Sequence, residues 1–167
     1  MKKLLALFVV VLGFSAVSFA QVFATASSSA TIIGPIAISK TADMVFGNLA
    51  VLSASAGTVS MTANAAATLS PAGGVSTVAG VTPVSAKFTV SGVATYGYSI
   101  SKPISITLTG PGAPMTLAVT SFPATSSTIP AGGSEIVYVG GTLSVAAGQV
   151  AGTYQNTTDL TVTVNYN

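Results

Sequence analysis

From Leu160 to Tyr166 the chain alternates without a break. Leu160, Val162, Val164 and Tyr166 fall on one side, and Thr161, Thr163 and Asn165 on the other. A strand turns successive side chains to opposite faces, so this stretch fits a strand with one face in a core and one in water. The alternation stops one residue before Asn167. A core strand so placed needs a partner along at least one edge, supplied by this chain or by another.

The remaining sequence extends the same theme. Val, Ile, Thr, Ser, Ala and Gly dominate, and only 5% of residues are charged. Turn signals recur at short spacing: Gly34-Pro35, Gly47-Asn48, Ser70 to Gly74, Thr109 to Gly112, Ile129 to Gly133 and Ala146 to Gly148. Short runs of strand chemistry between such turns indicate an all-β sandwich or barrel. The expected strands are Val22–Ile38 (broken at Gly34-Pro35), Met44–Phe46, Gly57–Thr62, Gly74–Val78, Ala86–Ser91, Tyr96–Ser101, Ile104–Thr109, Met115–Phe122, Glu135–Val145 and Thr153–Tyr166. A bulge is expected at Gly140-Gly141. Residues 47–56 and 63–83 are ambiguous, and Ala63 to Ala67 could form one helical turn.

The first twenty residues read as an export signal. Lys2 and Lys3 precede the apolar run Leu4–Phe14, and Ser18-Phe19-Ala20 offers small residues at a cleavage site. Residues 1–20 are therefore expected to be removed, leaving 21–167 as one domain. The working protein is expected in the periplasm and then at the cell surface or outside the cell. No later apolar stretch suits a transmembrane helix, so no membrane insertion follows signal cleavage.

Beyond the signal, Lys40, Lys87 and Lys102 balance Asp43, Glu135 and Asp159, and there is no Arg. Nucleic-acid binding requires clustered cations to displace counterions from phosphates, so no nucleic-acid partner is expected. The chain has no Cys and no His. That removes disulfides, Ser-His and Cys-His nucleophile pairs, and zinc or haem ligands of the usual kind. The three carboxylates stand apart in sequence, which gives no paired-acid signature. No enzyme activity, cofactor or metal is expected. Asp43 is the nearest approach to a calcium ligand, and it lacks an acidic cluster.

Other residues stand out for structural reasons. Tyr154 follows a Gly152 turn near a late strand, a setting in which a tyrosine hydroxyl bonds to nearby backbone in immunoglobulin-like sandwiches. Tyr96, Tyr98 and Ile100 share one strand face; core packing or a cross-strand ladder is the ordinary explanation, and a surface patch for glycan or protein is the alternative. Asn156-Thr157-Thr158 matches a glycosylation acceptor, but three polar residues on the exposed stretch of a strand is the better reading. Lys87, beside Phe88, is the best candidate for an isopeptide cross-link, against the simpler reading that it points outward from its strand. At the start of the exported chain, Val22, Ala24, Ala26, Ser28, Ala30 and Ile32 fall on one face of an extended segment.

Two resemblances meet these residues. The stretches Ile36–Gly47, Phe88–Gly92, Gly152–Tyr154 and Asn165-Tyr166 resemble an uncharacterised family of small secreted bacterial β proteins, catalogued as a domain of unknown function. The ending also resembles chaperone–usher pilus subunits and spore coat protein U-like domains, whose last strand alternates and carries a penultimate tyrosine. Tyr166 stands at that place, with Val164, Val162 and Leu160 before it. Gly152 sits two residues farther back than in that pattern, and the usual cysteine pair is missing. The resemblance implies an immunoglobulin-like antiparallel β-sandwich. It also implies an arm that completes a neighbour's sheet, here Val22, Ala24, Ala26 and Ile32, though an ordinary first strand in its own domain fits as well.

The expected function is an exported structural protein of the cell surface. It would be a fimbria-like subunit that pairs with itself or homologous subunits, with a periplasmic chaperone as a further partner. A self-contained adhesin or matrix module is the main alternative, and a small outer-membrane barrel comes third.

Overall fold

A computed structural model describes residues 21–52 and 54–167. The expected signal, residues 1–20, lies outside the described residues. The chain divides into two compact units, Met1–Ile32 and Ile33–Asn167. In the first unit, residues 21–32 form no strand, and Val22 and Ile32 are 94% and 97% exposed. The long first strand expected from Val22 is thus absent; regular pairing begins only at Ala37. The small alternating residues Ala24, Ala26 and Ala30 offer little apolar area with which to hold an edge position.

The second unit is all-β and antiparallel. Its strands are β1 (Ala37–Ala42), β2 (Asn48–Val51), β3 (Gly57–Met61), β4 (Leu69–Gly73), β5 (Val75–Val78), β6 (Ala86–Ser91), β7 (Gly97–Ser101), β8 (Ser105–Leu108), β9 (Met115–Phe122), β10 (Ser126–Thr128), β11 (Ser134–Val145) and β12 (Thr163–Tyr166). A seven-stranded sheet is organised around β11, a three-stranded sheet runs β10-β7-β12, and β2 pairs with β5.

β11 explains the curl of the large sheet. Residues Ser134 to Val139 pair with β6, and Gly141 to Val145 pair with β3. Residues Tyr138 to Ser144 pair with β9 along the opposite edge, without a break in register. The expected bulge at Gly140-Gly141 is therefore not formed. The two glycines serve another purpose: β11 passes there from one neighbour to the next, and backbone crowds both positions. A Cβ on Gly140 would stand 2.5 Å from the Met61 carbonyl oxygen, and one on Gly141 would collide with the Ala118 carbonyl.

The core fills the space between the sheets, as an antiparallel sandwich requires. Val90, Val137 and Val139 of the large sheet are fully buried, and Tyr98, Ile100 and Val164 meet them from the small sheet. Strand β6 alternates buried residues with half-buried or exposed ones, and β9 alternates buried and exposed residues from Met115 to Thr120. Tyr98 is buried completely and donates its hydroxyl proton to Glu135 Oε2 at 2.6 Å. Ser127 Oγ donates to the other carboxylate oxygen at 3.0 Å.

Two parts of the ambiguous stretch 63–83 resolve, and one expected strand is corrected. Pro71 lies in β4, which borders β3 alone, and an edge position tolerates its missing N–H. Met44–Phe46 contributes one isolated bridge, Val45 to Val84, rather than a strand. Residues 63–67 form no helix. Asn64 Oδ1 accepts from the Ala66 and Ala67 amides, both at 3.1 Å, closing a side-chain turn.

Candidate assembly groove

The C-terminal segment reaches both sheets. Thr109 and Gln155 form a bridge beside β8, while Thr163 pairs with Ser101 in β7. Equal numbers of residues separate these contacts on the two segments, so both belong to one antiparallel register. Between them the pairing lapses. Asn156 causes the lapse: its Oδ1 accepts from the Thr158 amide at 3.1 Å and the Asp159 amide at 2.8 Å. Its Nδ2 donates to Thr107 O at 2.8 Å and Asp159 Oδ2 at 2.6 Å. A side chain that satisfies two successive amides replaces the ladder with a turn. The expected strand from Thr153 is thereby shortened to Thr163–Tyr166, and Leu160 precedes it. With all its polar atoms engaged, Asn156 is a structural residue and not a free acceptor.

The predicted face of the last strand does turn inward. Val162 and Val164 are buried and belong to the core. Tyr166 is half-buried; its hydroxyl accepts from the Val93 amide at 2.7 Å, and its ring meets Tyr96 edge-on at 5.9 Å. Tyr154 donates its hydroxyl proton to Val150 O at 2.9 Å, and Gly152 before it adopts a φ of +150° packed against Pro111. Tyr96 and Tyr98 do not make a shared surface patch. Tyr98 faces the core, and Tyr96 lies just before β7, covered in part by Tyr166.

Where the pairing lapses, a groove opens in the side of the sandwich. One stretch, of about 400 Å³, is lined by Phe88, Ile106, Leu117 and Leu160, with Lys40 and Asp43 at its mouth. The adjoining stretch, of about 660 Å³, runs on past Leu49, Val51, Met115 and Val145. Met44, Phe46, Leu108 and Tyr154 line both. Apolar side chains and polar groups contribute to the lining about equally. Lys40 Nζ and Asp43 Oδ1 form an ion pair at 2.6 Å, which engages the Asp43 side chain considered for calcium. Among the described residues, no three acidic side chains gather as a metal site would require.

Two free edges flank this region. Among the described residues, β1 pairs only with β6, and β12 only with β7; the two come near one another without forming a ladder. Lys87 points outward, its ammonium 5.8 Å from the Tyr138 ring centroid, and among the described residues it has no carboxylate or amide partner for a cross-link.

Residues 36–166 match the family model described as Domain of unknown function (DUF4402). The chain belongs to this family. The match begins just before β1 and ends with Tyr166, so the family unit is the sandwich itself, groove and closing strand included. No curated protein and no solved structure matches the chain.

The groove had little sequence signal of its own. Its lining residues come from the ambiguous stretch after β1, from β8 and β9, and from the turn after Tyr154. Only the interruption at Asn156 marked the place, and there the alternation of the last strand fades into Asn156-Thr157-Thr158-Asp159.

Proposed function

We propose that this chain is an exported structural subunit of the bacterial cell surface, fimbria-like, which assembles by main-chain pairing at a free edge and by apolar filling of the side groove. The observation that carries this reading is the groove beside β8. A trough that offers apolar side chains among polar groups and is bordered by strands with free edges suits an extended segment whose backbone pairs and whose alternate side chains drop inward. Residues 22–32 have that alternation and are exposed. A second copy's arm is accordingly the proposed occupant, with homologous subunits as equivalent donors and a periplasmic chaperone as a temporary one. The function is mechanical, and no catalysis is assigned.

The outer-membrane barrel is the weaker reading. A barrel turns apolar side chains outward and polar ones inward. Here β9 turns Met115, Leu117 and Val119 inward and Thr116, Ala118 and Thr120 outward.

The test compares chain 21–167 with a form lacking 21–32. Light scattering and electron microscopy of the longer form should show concentration-dependent oligomers or fibres. The shorter form should stay monomeric and bind a synthetic 21–32 peptide, and Leu108→Lys in the groove should abolish that binding. A longer form that stays monomeric, with no peptide binding by the shorter one, refutes the proposal.

A further inference from the structure

Resting on the assembly reading, we infer that the unpaired edge of β2 is the one that receives a second copy's arm, residues 21–32. Among the described residues β2 pairs with β5 alone. The Leu52 amide donates to Gly74 O at 2.8 Å and continues the register in which Asn48 faces Val78 and Ala50 faces Ser76. In an antiparallel pair, residues that exchange hydrogen bonds alternate with residues that do not. Asn48 and Ala50 therefore spend their main-chain groups on β5. Leu49 and Val51 turn theirs to the opposite edge, where no backbone partner meets them among the described residues. Two N–H donors and two carbonyl acceptors stand ready there for another strand.

This edge opens into the groove. All four residues of β2, from both of its faces, line the stretch of about 660 Å³, as a strand seen edge-on does. Free main-chain groups at alternate residues select an extended peptide over a compact ligand. The stretch has no charged residue in its lining, and residues 21–32 have none either. A charged peptide would be desolvated there without a counterion. Met115, Leu143 and Val145 already occupy the groove, so side chains turned inward beside Leu49 and Val51 must be small. Ala24, Ala26, Ser28 and Ala30 supply such side chains at every second place. The arm is exposed throughout, and its extended reach of roughly 40 Å exceeds the roughly 13 Å of a four-residue edge.

The other edges offer less. Along β8, Thr107 O accepts from Asn156 and Thr109 bridges to Gln155, so the C-terminal segment of the same chain holds part of that edge. Among the described residues, none of β12 lines the groove. Along β1, the Lys40–Asp43 ion pair stands at the groove mouth.

The chain has no cysteine, so introduced thiols report the edge directly. Ala50 is exposed on β2. On the added ladder it takes the position without hydrogen bonds, where facing Cβ atoms come closest. Copies of 21–167 carrying Ala50→Cys are mixed with copies carrying Thr25→Cys or Ser27→Cys, which fall on the other side of the arm from Ala24 and Ala26, and are mildly oxidised. A disulfide-linked heterodimer with at least one arm variant is expected, and excess synthetic 21–32 peptide should abolish it. Ser105→Cys on β8 and Asn165→Cys on β12 should give none. Unchanged thermal melting of the variants would establish that they fold. No heterodimer at Ala50→Cys overturns the inference. If the wild type still forms oligomers, or Ser105→Cys or Asn165→Cys cross-links instead, assembly stands and only the choice of edge is lost. A chain carrying both Ala50→Cys and Thr25→Cys that closes on itself at high dilution, while the mixed copies stay unlinked, would make the occupant the molecule's own arm and would equally overturn it.

Discussion

Tyr98 and Glu135 join the two sheets of the sandwich through a single 2.6 Å hydrogen bond from phenol to carboxylate. The phenol comes from β7 in the small sheet and the carboxylate from β11 in the large one. Ser127 of β10 completes the set by bonding the second carboxylate oxygen. One acid thus fixes the spacing of three strands in a chain that has no disulfide to do so.

Tyr98→Phe should destabilise the fold by about 1–3 kcal/mol, because the carboxylate beside it loses a donor. The same pair sets an alkaline limit. Burial, followed by the hydrogen bond and charge of Glu135, raises the Tyr98 phenol above its ordinary value. A raised folded-state pKa contributes stability that is complete below the unfolded phenol value of about 10 and is lost as pH rises through the folded value. Urea unfolding of the wild type should therefore weaken above pH ~10, and Tyr98→Phe should flatten that decline.

Gly140→Ala and Gly141→Ala should each destabilise by about 1–3 kcal/mol or more, since the new methyl groups meet backbone that has no rotamer to change. Gly132→Ala, where a Cβ meets nothing within 4 Å, is the control and should stay near wild type. Thermal melts of the three variants check this.

Asn156→Ala should free the segment that precedes β12, at a cost of about 1–3 kcal/mol. Hydrogen exchange of the Thr109 and Gln155 amides, which pair with each other's carbonyls at 3.0 Å, reports the release. Asp159 adds a pH dependence. Hydrogen bonds from Asn156 first and Thr158 second hold its carboxyl below the ordinary range. A depressed folded-state pKa gives stability that is present above the unfolded carboxylate value and disappears as pH falls through the folded one. Protection of the amides at the Asn156 turn, taken relative to their intrinsic exchange rates, should fall in acid in the wild type, and Asp159→Asn should remove that pH dependence.

Tyr166→Phe should lose about 1 kcal/mol through the Val93 amide, which is left without its acceptor. Tyr166→Ala should lose more, because the edge-on contact with Tyr96 goes too. If β12 frays in that variant, Tyr96 fluorescence will shift toward that of an exposed phenol.

Much of the fold was legible where alternation was strong. Strands β6 and β9 begin and end at the expected residues because Phe88, Val90, Leu117 and Val119 punctuate them at every second place. Alternation could not say how far the final strand extends. Leu160 continues the pattern, yet Asn156 upstream captures two amides and delays pairing until Thr163. Tyr98 was ambiguous for a different reason: a period of two identifies a shared face without saying whether that face is core or surface. The partner that settles it, Glu135, lies 37 residues away. β4 escaped notice because Pro71, Ala72 and Gly73 have poor strand chemistry and pair only through the neighbouring β3. The groove is a property of strands that fail to meet, which no single stretch records.

The central position of β11 has a consequence in time. Ser60 of β3 waits for Thr142, 82 residues later, before its strand is flanked on its β11 side. Strand β6 waits for the same element. A chain emerging from its N-terminus therefore carries Val59, Phe88 and Val90 without their main partner until its final third appears. Such long-range pairing slows folding, and the unfinished sheet presents adhesive edges throughout the delay. The speed at which β11 arrives, more than the strength of any one contact, decides whether an emerging molecule reaches its own fold before it reaches a neighbour's.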